Sequence, residues 1–191
     1  QIQTDSRHVD HATFVLGVSG NSCAEALSRD PTFYGTEQQI VCGESWDFHS
    51  GIYSINKGFF SFDYSWLPPH SHVISASMDL HFPLWWDWSS RLQATSADLV
   101  AVTGVWTAAS FTEVGIPIET LLFPGATFNS ITGRYEREAV DFSVTIPPSV
   151  IAAPTTTFRL ARVGPCLTFP GSREETGTRG ENVTLHIEYA P

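Results

Sequence analysis

Between Lys57 and Phe82 the chain alternates apolar and polar residues in two runs separated by a proline-bearing break. In the first run Phe60, Phe62 and Tyr64 point one way, while Ser61 and Asp63 point the other. In the second, Ile74, Ala76, Met78, Leu80 and Phe82 alternate with Ser75, Ser77, Asp79 and His81. Successive side chains of a strand change face, so this period of two predicts a sheet with one dry and one wet side. Pro68 and Pro69 stiffen the connection, where Asp63 and Ser65 can bond backbone amides.

Further strand candidates recur along the chain. Ala12 to Val18 opens the set, Gln39 to Cys42 follows a loop rich in breakers, and Asp98 to Trp106 is apolar on both faces, as a central strand would be. In Ala139 to Ile146 the residues Val140, Phe142, Val144 and Ile146 turn inward, and the run stops at Pro147. Thr156 to Val163 and Val183 to Tyr189 complete the set. Prolines stand at strand ends, where a missing N–H breaks no ladder. Helical periodicity is weak, with one short turn expected at Cys23 to Ser28 and another at Pro148 to Ala152. Short strands with long connections predict an all-β fold, a two-sheet antiparallel β-sandwich with jelly-roll topology and little helix. Insertions near 19–56 and 83–96 fall on the surface, where function concentrates.

Composition narrows the partners. Hydrophobic residues make up 42% of the 191 and charged residues 16%, which excludes a disordered tail and favours an aromatic-rich core. We read a single domain over residues 12–191, preceded by a polar arm from Gln1 to His11. The net charge is -10 and Lys57 is the one lysine, so phosphate neutralisation cannot drive nucleic-acid binding. No apolar run is long enough to span a bilayer. The chain begins at Gln1 without an initiator methionine, as after removal of a leader or inside a longer precursor. Of the three cysteines, Cys23 and Cys42 flank a loop and could close it in an oxidising compartment, leaving Cys166 free; three buried thiols are the alternative.

Three pieces, in order, carry a resemblance. Gly58-Phe-Phe-Ser-Phe-Asp-Tyr-Ser-Trp-Leu-Pro68 and Val73-Ile-Ser-Ala-Ser-Met-Asp-Leu-His-Phe82 are followed, near the end, by Thr168-Phe-Pro-Gly-Ser-Arg-Glu174 and Val183-Thr-Leu-His-Ile-Glu-Tyr189. Together they resemble the conserved strand, turn and ending of DNRLRE-type jelly-roll modules. The resemblance implies an architecture found in secreted and cell-surface bacterial proteins, often beside polysaccharide-active domains, and in bacteriophage virion proteins. It transfers no catalytic residue, since the matching positions are strand and core positions. Arg173 and Glu174 read as a loop clasp made of charge-assisted hydrogen bonds.

The strongest candidate for contact is Leu84-Trp85-Trp86-Asp87-Trp88, since three indoles and a carboxylate this close cannot all face a core. Trp46-Asp47-Phe48-His49 and Tyr53 would extend that patch. Its alternative is a cap on the sandwich or packing against a neighbouring subunit. His70 and His72 sit at the turn, and His81 and His186 on outer faces, without the spacing of a metal site. Glu136 and Glu138 pair along one strand face, which reads as a charge ladder beside Arg134 and Arg137. Asn182-Val-Thr184 fits a glycosylation acceptor in a eukaryotic secretory host.

These readings converge on a non-enzymatic subunit without a cofactor, located on a virion surface or otherwise outside the cell. It would act as a capsid decoration, head-fibre or tail accessory protein, homo-oligomeric and held by protein–protein contacts, without nucleic-acid or membrane partners. The alternative is a secreted carbohydrate-binding module in which Trp85, Trp86 and Trp88 stack on sugar rings and Asp87 or His81 bonds hydroxyls. A further alternative is a subunit of an extracellular filament or surface layer.

Overall fold

The computed structural model describes residues 2–8, 14–36, 40–47, 50–87, 91–102, 107–151, 154–164, 166, 174–180 and 182–191. In chain order the elements are β1 (Gln3–His8), β2 (Phe14–Gly20), α1 (Cys23–Leu27), β3 (Thr32–Thr36), β4 (Ile40–Asp47), β5 (Ile52–Asp63) and β6 (His72–Phe82). They continue with β7 (Trp85–Asp87), β8 (Arg91–Gln93), β9 (Thr95–Val102), β10 (Ile116–Phe123), β11 (Thr127–Asn129) and β12 (Arg134–Arg137). The last four are β13 (Val140–Ile146), β14 (Thr155–Arg162), β15 (Glu174–Gly180) and β16 (Asn182–Ala190).

The fold is all-β, as the alternation predicts. A four-stranded antiparallel sheet runs β1-β16-β6-β13, and a larger sheet runs β10-β9-β14-β5-β4-β15-β8 with β2 and β3 attached through β5. The larger sheet is antiparallel except where β15 and β8 run parallel. Between the two lies the main core, with Phe60 and Phe62 from β5, Met78 and Leu80 from β6, Leu99 from β9 and Phe158 from β14. Leu185 and Ile187 of β16 close it from the four-stranded side. Phe60 stacks on Phe158 at 5.6 Å between ring centroids, and Phe62 meets the same ring edge-on at 6.0 Å.

β9 and β14 are central strands, and each is apolar or buried on both faces. A second, smaller core lies on the outer side of the large sheet, over β2 and β5. Leu16 and Val18 of β2, Cys23 and Ala26 of α1, Tyr53, Ile55 and Phe59 of β5, and Phe111 of a 3-10 turn at Ala108–Phe111 make it up. Thus β5 is a shared wall. Phe60 looks into the sandwich and Phe59 into the outer core, and both are fully buried. Gly20 lets α1 lie flat on β2, because a Cβ there would stand 2.8 Å from the Ala26 nitrogen.

Four expectations need correction. Ile74, expected inward, is exposed, because β6 bulges there: Glu188 pairs with Ser75 and Tyr189 with Val73, leaving Ile74 as the extra, unpaired residue. The segment expected as a polar arm is, over Gln3–His8, an edge strand paired with β16. Tyr189 donates to Gln3 Oε1 at 2.7 Å, and the Arg7 guanidinium lies 4.4 Å from the centre of the Trp66 ring. The supposed long insertions contain β3, then β7 and β8, while the strand expected at Gln39–Cys42 is β4, which runs on to Asp47. Finally, the disulfide joins Cys23 to Cys166, not Cys23 to Cys42.

The large sheet itself explains the last correction. Cys42 packs in the main core, whereas Cys23 belongs to the outer core on the far side of the strands. Cys42 is a free, buried thiol, and burial pushes it up to about 12. The Cys23–Cys166 bridge spans 143 residues and ties α1 to the segment after β14.

Two cations hold the 3-10 turn over β5 and β14. Lys57 Nζ donates to the Phe111 carbonyl at 2.7 Å, and Arg159 Nη1 donates to Ser110 at 2.7 Å and to Glu113 at 2.5 Å. Burial, and after it the neighbouring Arg159 charge, pulls the Lys57 ammonium from its ordinary 10.5 down to about 8. Between pH 8 and 10.5 the unfolded amine keeps a proton that the folded one has lost, so stability rises with pH across that window. Below pH 8 both states are charged, and the cost of burying the charge is carried in full. We expect urea unfolding of the native chain to gain on the order of 2–3 kcal/mol across the window. The Lys57→Met variant should lack that gain, and matching pH slopes for the two proteins would refute the assignment.

Candidate functional site

The two sheets present different outer faces. The larger is roofed by α1 and the 3-10 turn, whereas the four-stranded sheet leaves its outward positions in water. On that wet face β6 contributes Asp79 and His81, β13 contributes Asp141 and Ser143, and β16 contributes Thr184 and His186. The strand register makes Asp141 the partner of His81, and Ser143 the partner of Asp79. Two imidazole–carboxylate contacts result. His81 Nδ1 lies 2.6 Å from Asp141 Oδ1, and His186 Nε2 lies 3.0 Å from Asp79 Oδ2.

An open cavity of about 420 Å³ lies here, lined by Asp79, His81, Asp141, Ser143 and Thr184 along with Leu80 and Phe142. Its chemistry is hydroxyl, carboxylate and imidazole. Hydrogen bonds from Ser143, then from His186, hold the Asp79 carboxyl below its ordinary value. Among the described residues no three histidine, cysteine or acidic side chains converge to hold a metal ion. His70 is exposed in the turn before β6, and His72, also exposed, opens that strand.

The aromatic patch expected from the sequence is distributed over two sheets. Trp85 is half-buried on β7, within a small three-stranded sheet of order β11-β12-β7. There the Trp85 backbone pairs with Arg137, Trp86 with Glu136 and Asp87 with Tyr135. Trp88 and Phe48 lie outside the described residues, as does Arg173 of the expected loop clasp. Trp46 sits on β4 in the large sheet and packs, half-buried, against the outer core.

Tyr53 does not extend a surface patch. It is buried, and its hydroxyl donates to Glu44, which also accepts from Arg162 at 2.7 Å. These three form a charged knot on the outer face of β4 and β5, which no spacing in the sequence announces. Glu136 is likewise structural. Asn129, Arg134 and Thr132 donate to its carboxylate at 2.9, 2.8 and 2.7 Å, closing the β11–β12 hairpin. Those bonds, in that order, lower it to about 2. Glu138 stays exposed.

No family model matches the chain, and no curated protein does. Among solved structures it is similar to dimeric latent PorU from Porphyromonas gingivalis, at 9% identity and a TM-score of 0.32. The alignment covers 93% of this chain and 22% of that one, so the chain spans under a quarter of the protein it matches. A superposition this loose carries no inference about role.

The buried knot yields a direct test. Removing one member of a buried ion pair leaves the other charge uncompensated, at a cost of about 3–5 kcal/mol. Glu44→Ala should therefore lower the free energy of unfolding by about that much. Tyr53→Phe, which loses one bond to a charged acceptor, should lower it by about 1.5–3 kcal/mol. Urea titration checks both, and a loss below about 0.5 kcal/mol for Glu44→Ala would show that the knot is solvated.

Proposed function

We infer that this chain is a non-enzymatic jelly-roll subunit working outside a cell. Its most specific form is a surface component of a bacteriophage particle, whether capsid decoration, head fibre or tail accessory. The jelly-roll reading is supported by strand order. Four strands run β1-β16-β6-β13 and four more run β10-β9-β14-β5, so the chain passes repeatedly from one sheet to the other. A disulfide linking segments 143 residues apart suits an oxidising compartment. No helix among the described residues is long and apolar enough to cross a membrane.

The observation that carries assembly is a set of large apolar side chains left in water. Val114 is 84% exposed, Leu122 71% and Ile131 94%, and Phe128 is exposed beside them in sequence. They lie on or next to β10, the edge of the large sheet, and on the β11–β12 hairpin. Pro117 and a register shift after it blunt that edge against strand addition, which favours contact through side chains.

A second reading, a carbohydrate-binding module, is favoured by the cavity rather than by the tryptophan run. Asp79, His81, Asp141 and Thr184 offer donors and acceptors suited to sugar hydroxyls.

Sedimentation velocity over a hundredfold concentration range distinguishes the two. Assembly should appear as a rising sedimentation coefficient that Leu122→Asp and Ile131→Asp abolish without changing the circular-dichroism spectrum. A monomer at every concentration, combined with glycan-array binding lost in His81→Ala, would replace the first reading with the second.

A further inference from the structure

On the wet face of the four-stranded sheet, three neighbouring strands bring Ser6, His186 and Asp79 into one hydrogen-bonded chain. Ser6 Oγ lies 2.7 Å from His186 Nδ1, and His186 Nε2 lies 3.0 Å from Asp79 Oδ2. Ser6 and His186 are direct partners across β1 and β16, so the sheet register itself holds them together. The chain continues to Ser143 of β13, whose bond to Asp79 keeps that carboxyl ionised together with His186.

The donors and acceptors can be assigned from this. An ionised carboxylate only accepts, so in the neutral imidazole the proton sits on Nε2 and points at Asp79. Nδ1 then carries a lone pair, and the Ser6 hydroxyl donates to it. A hydroxyl bonded to a base, with the base oriented by a third group, is the arrangement that activates a serine.

We propose that Ser6 is a nucleophile with His186 as its general base and Asp79 as the positioning residue, and that it accepts an acyl group from an activated ester. Ser6 Oγ attacks the ester carbonyl carbon while its proton passes to His186 Nδ1. The tetrahedral adduct collapses with cleavage of the bond to the leaving oxygen, which takes the proton from His186. The products are an acylated Ser6 and a free alcohol or phenol.

The same geometry limits the reaction to one turnover. The Ser6 amide, which could otherwise donate to a developing oxyanion, is already bonded to Asp5 Oδ1 at 2.7 Å. Asp5 in turn holds Arg7 at 3.0 Å. Hydrolysis of the acyl-serine would pass through a second oxyanion with equally little support. General-base assistance alone is worth about 10²-fold at the low end of its range, which suits a base this solvated.

A built-in comparison stands on the same face. Ser75 donates to Glu188 Oε2 at 2.8 Å, with no imidazole between them. The experiment treats the full chain with p-nitrophenyl acetate and maps acetylated peptides by mass spectrometry over time and pH. The expected result is one acetyl group at Ser6, added about 10²-fold faster than at Ser75. Ser6→Ala and His186→Asn lose the fast phase of phenol release, and Asp79→Asn slows it and displaces its pH profile. His70→Asn, at the exposed turn before β6, leaves it intact. Equal rates at Ser6 and Ser75 in the native protein would overturn the proposal and leave a cross-strand ladder; this comparison needs no variant, so misfolding cannot obscure it.

Discussion

Strand β5 is dry on both sides. Phe59 and Phe60 are neighbours in the chain, point to opposite faces and are both fully buried, so the backbone between them is enclosed by two separate cores. Its paired strands complete the enclosure, with β14 along 58–63, β4 along 52–56 and β2 along 53–59. A slip of one residue would exchange the two faces, sending Ser61 and Asp63 into the sandwich and Phe60 and Phe62 out of it. Everything packed on either side depends on that register. The sandwich needs the even positions of β5, and the α1 layer needs the odd ones.

The outer layer accounts for the buried charges. A 3-10 turn and a short helix end in carbonyl groups with no partner of their own. Here Lys57 and Arg159 rise from the sheet to meet the carbonyls of Ser110, Phe111 and Glu113. On the same side Glu44 is met by Arg162 and Tyr53. Cations and a carboxylate in such positions make the roof specific, since an apolar roof could slide. The consequence for function is one of access. With α1 and the 3-10 turn over part of the large sheet, the wet face of the four-stranded sheet carries the carboxylate–imidazole contacts, and the most exposed apolar side chains lie near β10 and the β11–β12 hairpin.

The candidate site was only half legible. Alternation in β6 correctly puts Asp79 and His81 on a wet face, and alternation in β16 does the same for His186. Their partners could not be read, because Asp141 lies 60 residues from His81 and Ser6 lies 180 from His186. Those distances collapse only when β1, β16, β6 and β13 line up, and a local pattern contains no information about order within a sheet. The aromatic patch failed for a related reason. Tyr53 reads as one more loop aromatic until α1 and β2 are laid over it; the short helix expected at Cys23–Ser28 is present as α1, but the strand face it covers is not legible in the local sequence.

What the amino-acid order determined by itself is the local part: strands with one wet and one dry face, breaks at prolines, an aromatic interior and an acidic exterior. Period-two burial is a property of the extended backbone, so it survives translation from sequence to structure almost unchanged in β6, β13 and β16. The cysteine pairing, the second core, the bulge that turns Ile74 out, and the serine–histidine–aspartate chain were decided by tertiary structure alone. Each depends on which side of a sheet two distant residues occupy. That is set by the packing of whole layers, where the loss of apolar surface to water is summed over both faces at once.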